Sequence, residues 1–157
     1  MKLYIHRPGS QDPDPIDIDP SMSVRDVLAK IGAGDEDRLW LEDLDDELDH
    51  DLCLDDDKIP DRPHVHCGPK KLIDVEVHFN GKVIKDDFPP SATIARIYAW
   101  ATGPKGFKLA GDQKAKHELA LTGTNDALAD HVHIGSLVEG HGRKVSLDLR
   151  PKERFEG

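Results

Sequence analysis

Pro20-Ser21-Met22-Ser23-Val24-Arg25-Asp26-Val27 and Pro90-Ser91-Ala92-Thr93-Ile94-Ala95-Arg96-Ile97 are one phrase written twice, 70 residues apart. In each copy a Pro-Ser step leads to a hydroxyl side chain that can cap a helix, and apolar residues then recur at helical spacing. The echo predicts a tandem repeat of one small domain. A chain of 157 residues can fold as one ordinary domain or as two small ones. Hydrophobic residues make up 37%, charged residues 33% and aromatics only 5%, which suits two modest aliphatic cores.

The flanks of the two phrases agree with this reading. Before the first, Leu3 and Ile5 alternate with polar residues, as do Ile16 and Ile18, and Pro8-Gly9-Ser10 through Pro15 supplies turn chemistry. That pattern predicts a hairpin whose Asp- and Pro-rich tip is too long for the tightest turns. In the helix that follows, Ser23 is the cap, Asp26 lies three residues on, the apolar stripe is Val24, Val27, Leu28 and Ile31, and Gly32 is the stop. Arg38 to Glu42 and Pro63 to Cys67 read as strands, with one short strand possible at Leu52 to Leu54.

Gly68-Pro69-Lys70-Lys71 marks the linker, and the second half then repeats the order. Ile73, Val75 and Val77 form a strand, Asn80-Gly81 is a hairpin turn, and Val83-Ile84 opens the return strand. Thr93 caps a helix with a stripe of Ile94, Ile97, Tyr98 and Ala101, ended by Gly103-Pro104. Glu118-Leu119-Ala120-Leu121 then answers Arg38-Leu39-Trp40-Leu41 at an offset of 80, so about ten residues are inserted after the second helix. Val145, Leu147 and Leu149 share one face of the last strand. The expected domains are residues 1–68 and 69–149, with residues 150–157 as an exposed tail.

Charge divides unevenly. Residues 1–68 hold 7 Lys+Arg against 19 Asp+Glu, whereas residues 69–157 hold 14 against 12. A phosphate backbone would be repelled by the first half, which argues against general nucleic-acid binding, while a basic protein surface would be attracted. Cys53 and Cys67 are too few and too loosely placed for a disulfide framework, and the reading is a reducing compartment. Without a signal-peptide pattern or an apolar window of transmembrane length, the expected location is cytoplasmic.

Strand, strand, helix, strand, short strand, strand is the order of the β-grasp, an α+β fold in which one helix crosses a small mixed sheet. The doubled phrase resembles the second strand–helix junction of ubiquitin, and Arg38-Leu39-Trp40 resembles the Arg-Leu-Ile of its third strand. Two such domains and a glycine-ended tail resemble the tandem ubiquitin-like modifiers, including the bacterial two-domain (Bil-type) anti-phage conjugation family. That resemblance implies two tandem β-grasp domains and a C-terminal carboxylate, at Gly157, that an activating enzyme adenylates with ATP. The carboxyl then passes to enzyme thiols as a thioester and ends as an isopeptide on a target lysine. The chain itself is then a substrate of enzymes, with no cofactor of its own.

The implied partners are an activating enzyme, a conjugating enzyme, a deconjugating metallopeptidase and target proteins, phage structural proteins among them. Glycine suits the tail because it lacks a Cβ to obstruct a narrow cleft. Arg150 and Arg154 resemble the basic residues before ubiquitin's terminal glycines, and with Phe155 and Glu156 they form the expected recognition segment. Glu156 departs from ubiquitin's Gly-Gly ending and implies dedicated enzymes. Trp40 occupies the place of a residue in ubiquitin's recognition patch, so Trp40, Leu119 and Leu121 are the expected partner surface, with core packing the alternative for Trp40.

Other constellations are weaker. His64-Val65-His66 and His131-Val132-His133 each set two imidazoles on one strand face, but neither gathers four ligands locally, so no metal site is expected. Asp43 to Asp49 lacks the glycine and spaced glutamate of a calcium loop and reads as a solvated acidic run. No nucleophile–base pair or phosphate loop stands out, so no catalytic residue is assigned. The rival readings are a non-covalent tandem adaptor and, less favoured because such proteins are normally single domains, a sulfur carrier.

Overall fold

The computed structural model describes residues 1–139 and 142–152. The first half contains β1 (Lys2–Arg7), β2 (Ser10–Asp17), α1 (Val24–Lys30), β3 (Asp37–Leu41) and β4 (His64–Pro69). The second contains β5 (Ile73–Phe79), β6 (Lys82–Phe88), α2 (Ile94–Thr102), the short α3 (Gly111–Lys114), β7 (His117–Leu121), a 3-10 helix (Ile134–Leu137) and β8 (Lys144–Pro151). The sheets run β2-β1-β4-β3 and β6-β5-β8-β7, each with one parallel pair at its centre, β1 with β4 and β5 with β8. These are two tandem β-grasp domains, each with its own aliphatic core.

The repetition reaches individual backbone hydrogen bonds. The Val24 N–H donates to the Leu52 carbonyl and the Ile94 N–H to Val132. Leu48 donates to Leu39, and Leu128 to Leu119. The short strand expected at Leu52 to Leu54 is reduced to a single bridge, Ser23 with Cys53, answered by Thr93 with His133.

Both helices form where the caps predict. Ser23 Oγ accepts the Asp26 N–H at 3.1 Å while the Asp26 carboxylate accepts the Ser23 N–H at 3.2 Å, a complete capping box. Val24 and Val27 are buried below, and Gly32 leaves the helix at φ 69°, a conformation that suits glycine. In α2, Thr93 Oγ1 accepts the Arg96 N–H at 3.2 Å, and Ile94, Ile97 and Ala101 are buried. The inserted residues after α2 are not loose. Phe107 and Leu109 pack on the second core, and the Tyr98 hydroxyl lies within hydrogen-bond reach of the Lys114 and His117 carbonyls.

The first hairpin corrects its sequence reading. Arg7 pairs with Ser10, so the turn is only Pro8-Gly9, with Gly9 at φ 79°. The Asp- and Pro-rich stretch is β2 itself. It lies at the edge of the sheet, where Pro13 and Pro15 are tolerated because no outer strand needs their missing N–H groups. A register irregularity between Ile5 and Arg7 falls at His6.

Ser23→Ala removes half of the capping box and is expected to destabilise the first domain by about 1 kcal/mol. Chemical denaturation of the intact chain checks this, and an unchanged midpoint would contradict it.

Candidate functional site

Alternation along the first sheet divides its residues cleanly. Leu3, Ile5, Leu39, Leu41, Val65 and Cys67 enter the core, and burial pushes the Cys67 thiol up to about 11, which leaves it inert near neutral pH. Their neighbours Tyr4, His6, Trp40, His64 and His66 therefore point to the other face. Register aligns Tyr4 with His64, His6 with His66, and Trp40 with His66. In a lone β-grasp domain this face would meet water. Here the second domain covers much of it.

The contact is built from the strand–helix junction of the second domain and its 3-10 helix. The Gly9 N–H donates to the Ser136 carbonyl at 3.1 Å, and the Asp43 N–H to the Ser91 carbonyl at 3.2 Å. Asp43 Oδ1 accepts from the Thr93 N–H at 2.8 Å and from the Thr93 hydroxyl at 3.1 Å. Arg96 Nη1 donates to the Asp43 carbonyl at 3.0 Å, and Arg96 Nη2 meets Asp45 at 2.6 Å. Gly135 sits against His66 and Pro90 so closely that a Cβ there would lie 2.7 Å from His66 Cε1 and 2.6 Å from Pro90 Cβ.

Behind this contact lies a histidine cluster. His6, His66 and His133 are buried, and the rings of His6 and His133 stack with centroids 3.5 Å apart. His6 Nε2 is 2.9 Å from His64 Nδ1, and His133 Nε2 is 2.7 Å from the half-buried Glu42 carboxylate. Burial, and then the neighbouring His133, push His6 and His66 each down to about 3. Burial also lowers His64. The rings of His6 and His66 are thus neutral near pH 7, so the junction is held by stacking and hydrogen bonds without charge on either of them.

The acidic run is therefore not simply solvated. Asp43 and Asp45 engage α2, and Glu47 lies 3.3 Å from Arg38 and 3.0 Å from Lys70. Trp40 is 5% exposed on the outer face, lining a groove with Asp45 to Glu47 and Lys70 to Leu72. It is one of the buried hydrophobic residues, as the core-packing alternative expects, though it lies outside the first domain's aliphatic cluster. Leu119 is 1% exposed and Leu121 half-buried against the second core, because both alternate inward and Ala120 takes the outward place. The expected surface of Trp40, Leu119 and Leu121 is thus not an exposed patch in this structure.

Arg150 also differs from its expected place at the start of an exposed tail. It belongs to β8, and its guanidinium donates to the Thr124 carbonyl at 3.0 Å and the Asn125 carbonyl at 2.5 Å. The Lys152 N–H donates to the Lys116 carbonyl at 2.8 Å. Arg154, Phe155, Glu156 and Gly157 lie outside the described residues.

The outer face of the second sheet is polar and partly exposed, apart from the buried Ala120. There His78 contacts Glu76 at 3.3 Å and Ser146 at 3.1 Å, and Thr122 reaches Ser146 at 2.9 Å and Asp148 at 3.0 Å. Sequence reading missed the junction residues His6, Glu42, Asp43, Arg96 and Gly135. One signal was present: the two phrases differ where Asp26, the capping acid, becomes Arg96. The second helix thereby loses its own acid and gains a base that needs one.

Fold and surfaces define a tandem ubiquitin-like protein. The family model described as BilA ubiquitin-like domain 2 matches residues 74–152, and the chain belongs to that family. Among solved structures, the ubiquitin of Caldiarchaeum subterraneum is similar at 20% identity over 55% of this chain and 100% of its own, with a TM-score of 0.37. No curated protein matches the chain. Among the described residues, no helix is long and apolar enough to cross a membrane.

Asp43→Ala leaves the Thr93 N–H and the α2 N-terminus without their carboxylate, and is expected to cost about 1–2 kcal/mol of stability with earlier proteolytic cutting of residues 70–72, which join β4 to β5. Unchanged denaturation and proteolysis would contradict that role. The lowered histidines set a pH dependence. Unfolded His6 and His66 take up protons near their ordinary value of 6.5, while the folded ones resist until about 3. Their contribution to stability is therefore complete above pH 6.5 and declines as pH falls from there towards 3. In metal-free buffer the denaturation midpoint should be lower at about pH 5 than at about pH 7.5, a window in which ordinary carboxylates stay largely ionised. A flat profile would contradict it.

Proposed function

We propose that this chain is a ubiquitin-like protein modifier whose Gly157 carboxyl is activated by a dedicated enzyme and joined to target amines, in bacterial anti-phage defence. The observation that carries the reading is family membership across the second domain, the domain that leads directly into the Gly157 segment. Activation transfers the carboxylate to the α-phosphate of ATP with release of pyrophosphate. Attack by an enzyme thiol then releases AMP and forms a thioester, and a target amine displaces the thiol to leave an amide.

The chain's own part in this is presentation. Its last strand pairs with β5 on one side and β7 on the other, and Arg150 and Lys152 are tied to neighbouring carbonyls. An enzyme that recognises the second domain therefore meets a fixed exit point for residues 153–157, among them Arg154, Phe155 and Glu156. The partners are an activating enzyme, a conjugating enzyme, a deconjugating metallopeptidase and protein targets, phage structural proteins among them. The chain acts in the cytoplasm as a substrate of those enzymes and carries no cofactor itself. Because the first domain's outer sheet face is turned to the second domain, the polar face around His78, Ser146 and Asp148 is the sheet face left for those enzymes.

Incubation with ATP and the activating enzyme from the same genome is expected to give a thiol-sensitive adduct that is lost when Gly157 is deleted. An intact chain that forms no adduct while still binding partner proteins would replace the modifier with an adaptor.

A further inference from the structure

His64-Val65-His66 and His131-Val132-His133 lie too far apart in the chain to suggest a common site, and His6 belongs to neither motif. Folding brings His64 and His66 from the first motif and His133 from the second beside His6. His6 comes from β1, Glu42 follows β3, and His133 precedes the 3-10 helix of the other domain. One donor atom from each of His6, Glu42 and His133 lies within 4.8 Å of the other two. Bound to one ion through bonds of about 2.0–2.2 Å at tetrahedral angles, such donors stand roughly 3.4 Å apart, so the group needs to close by at most about 1.4 Å.

A second observation points the same way. The Nδ1 atoms of His6 and His133 are buried without a hydrogen-bond partner. His6 has its Nε2 towards His64, so its Nδ1 is the nitrogen left for an ion, whereas His133 meets Glu42 through Nε2, so an ion shared with Glu42 takes the place of that 2.7 Å contact. Ligating histidines characteristically have one ring nitrogen held by a neighbouring group while the other meets the metal. His64, half-buried and stacked on Tyr4 with centroids 4.7 Å apart, is placed to hold His6 in this way.

We propose that His6, Glu42 and His133 form a three-ligand site for a divalent transition metal of the zinc class, which clips the two domains together. Two imidazoles and one carboxylate suit zinc or cobalt and are too few and too nitrogen-rich for calcium or magnesium. A fourth position is left for water, reached beside Glu42, whose side chain is 33% exposed. An ion lies in the plane of the imidazoles it binds, so the stacked His6 and His133 rings turn out of their stack to receive it. The site would join residues of both domains and so add to the Asp43 contact.

The test uses the full chain freed of metal by a chelator and titrated with Co2+, followed by its visible absorption and by competition with Zn2+. One equivalent is expected to bind with a cobalt d–d band that zinc abolishes, and zinc is expected to raise the melting temperature. Glu42→Gln, at a partly exposed position, should weaken binding at least tenfold, and its melting temperature measured without metal separates that loss from any change at the junction. His131→Ala, at an exposed position beside the cluster, should leave binding unchanged. Absence of saturable binding to the parent, undiminished affinity in Glu42→Gln, or loss of binding in His131→Ala would each overturn the proposal.

Discussion

The carboxylate of Asp43 at the start of α2 is the interaction on which the arrangement of the two domains depends. The first helix supplies its own acid, Asp26, and closes a capping box without outside help. The second carries Arg96 at the matching position and no acid in its first turn. Its N-terminal N–H groups and the Arg96 guanidinium both call for negative charge, and the first domain delivers it through Asp43 and Asp45. Asp43 reaches there with φ at 61°, a backbone conformation that Asp adopts more readily than most residues. One exchange of acid for base between two copies of a repeat thus turns a local cap into an interdomain bond.

That bond also fixes which surfaces remain. With the second domain against it, the outer face of the first sheet no longer offers the patch that a lone ubiquitin-like domain presents. His6 and His66 lie buried there, Trp40 is buried beside a groove that the linker and the acidic segment also line, and Gly135 fits only because it has no side chain. The second sheet keeps its polar outer face. Two domains of one fold are therefore not equivalent, and the acidic character of the first half is partly spent on holding the second.

Much of the fold was legible because its signals are local. Ser23 and Thr93 cap their helices, Asn80-Gly81 turns its hairpin, and the offset of 80 places β7 correctly. The length of the first hairpin's turn is not legible, because proline usually argues against a strand and only the strand order reveals that β2 is an edge where proline costs little. Exposure of Trp40, Leu119 and Leu121 was not legible, since it depends on strand parity and on what covers each face. The histidine cluster was invisible for the same reason. His6, Glu42 and His133 are brought together by docking of two domains, and no spacing in the chain encodes that.

The most direct measurement of this account is domain alignment in solution by residual dipolar couplings of the backbone amides in the full chain. Couplings from β1 to β4 and from β5 to β8 should fit one common alignment tensor, with the relative orientation of the two sheets as described. Two tensors of different magnitude, as from domains that tumble separately about the linker, would contradict the claim that Asp43 and the buried sheet face join them into one body.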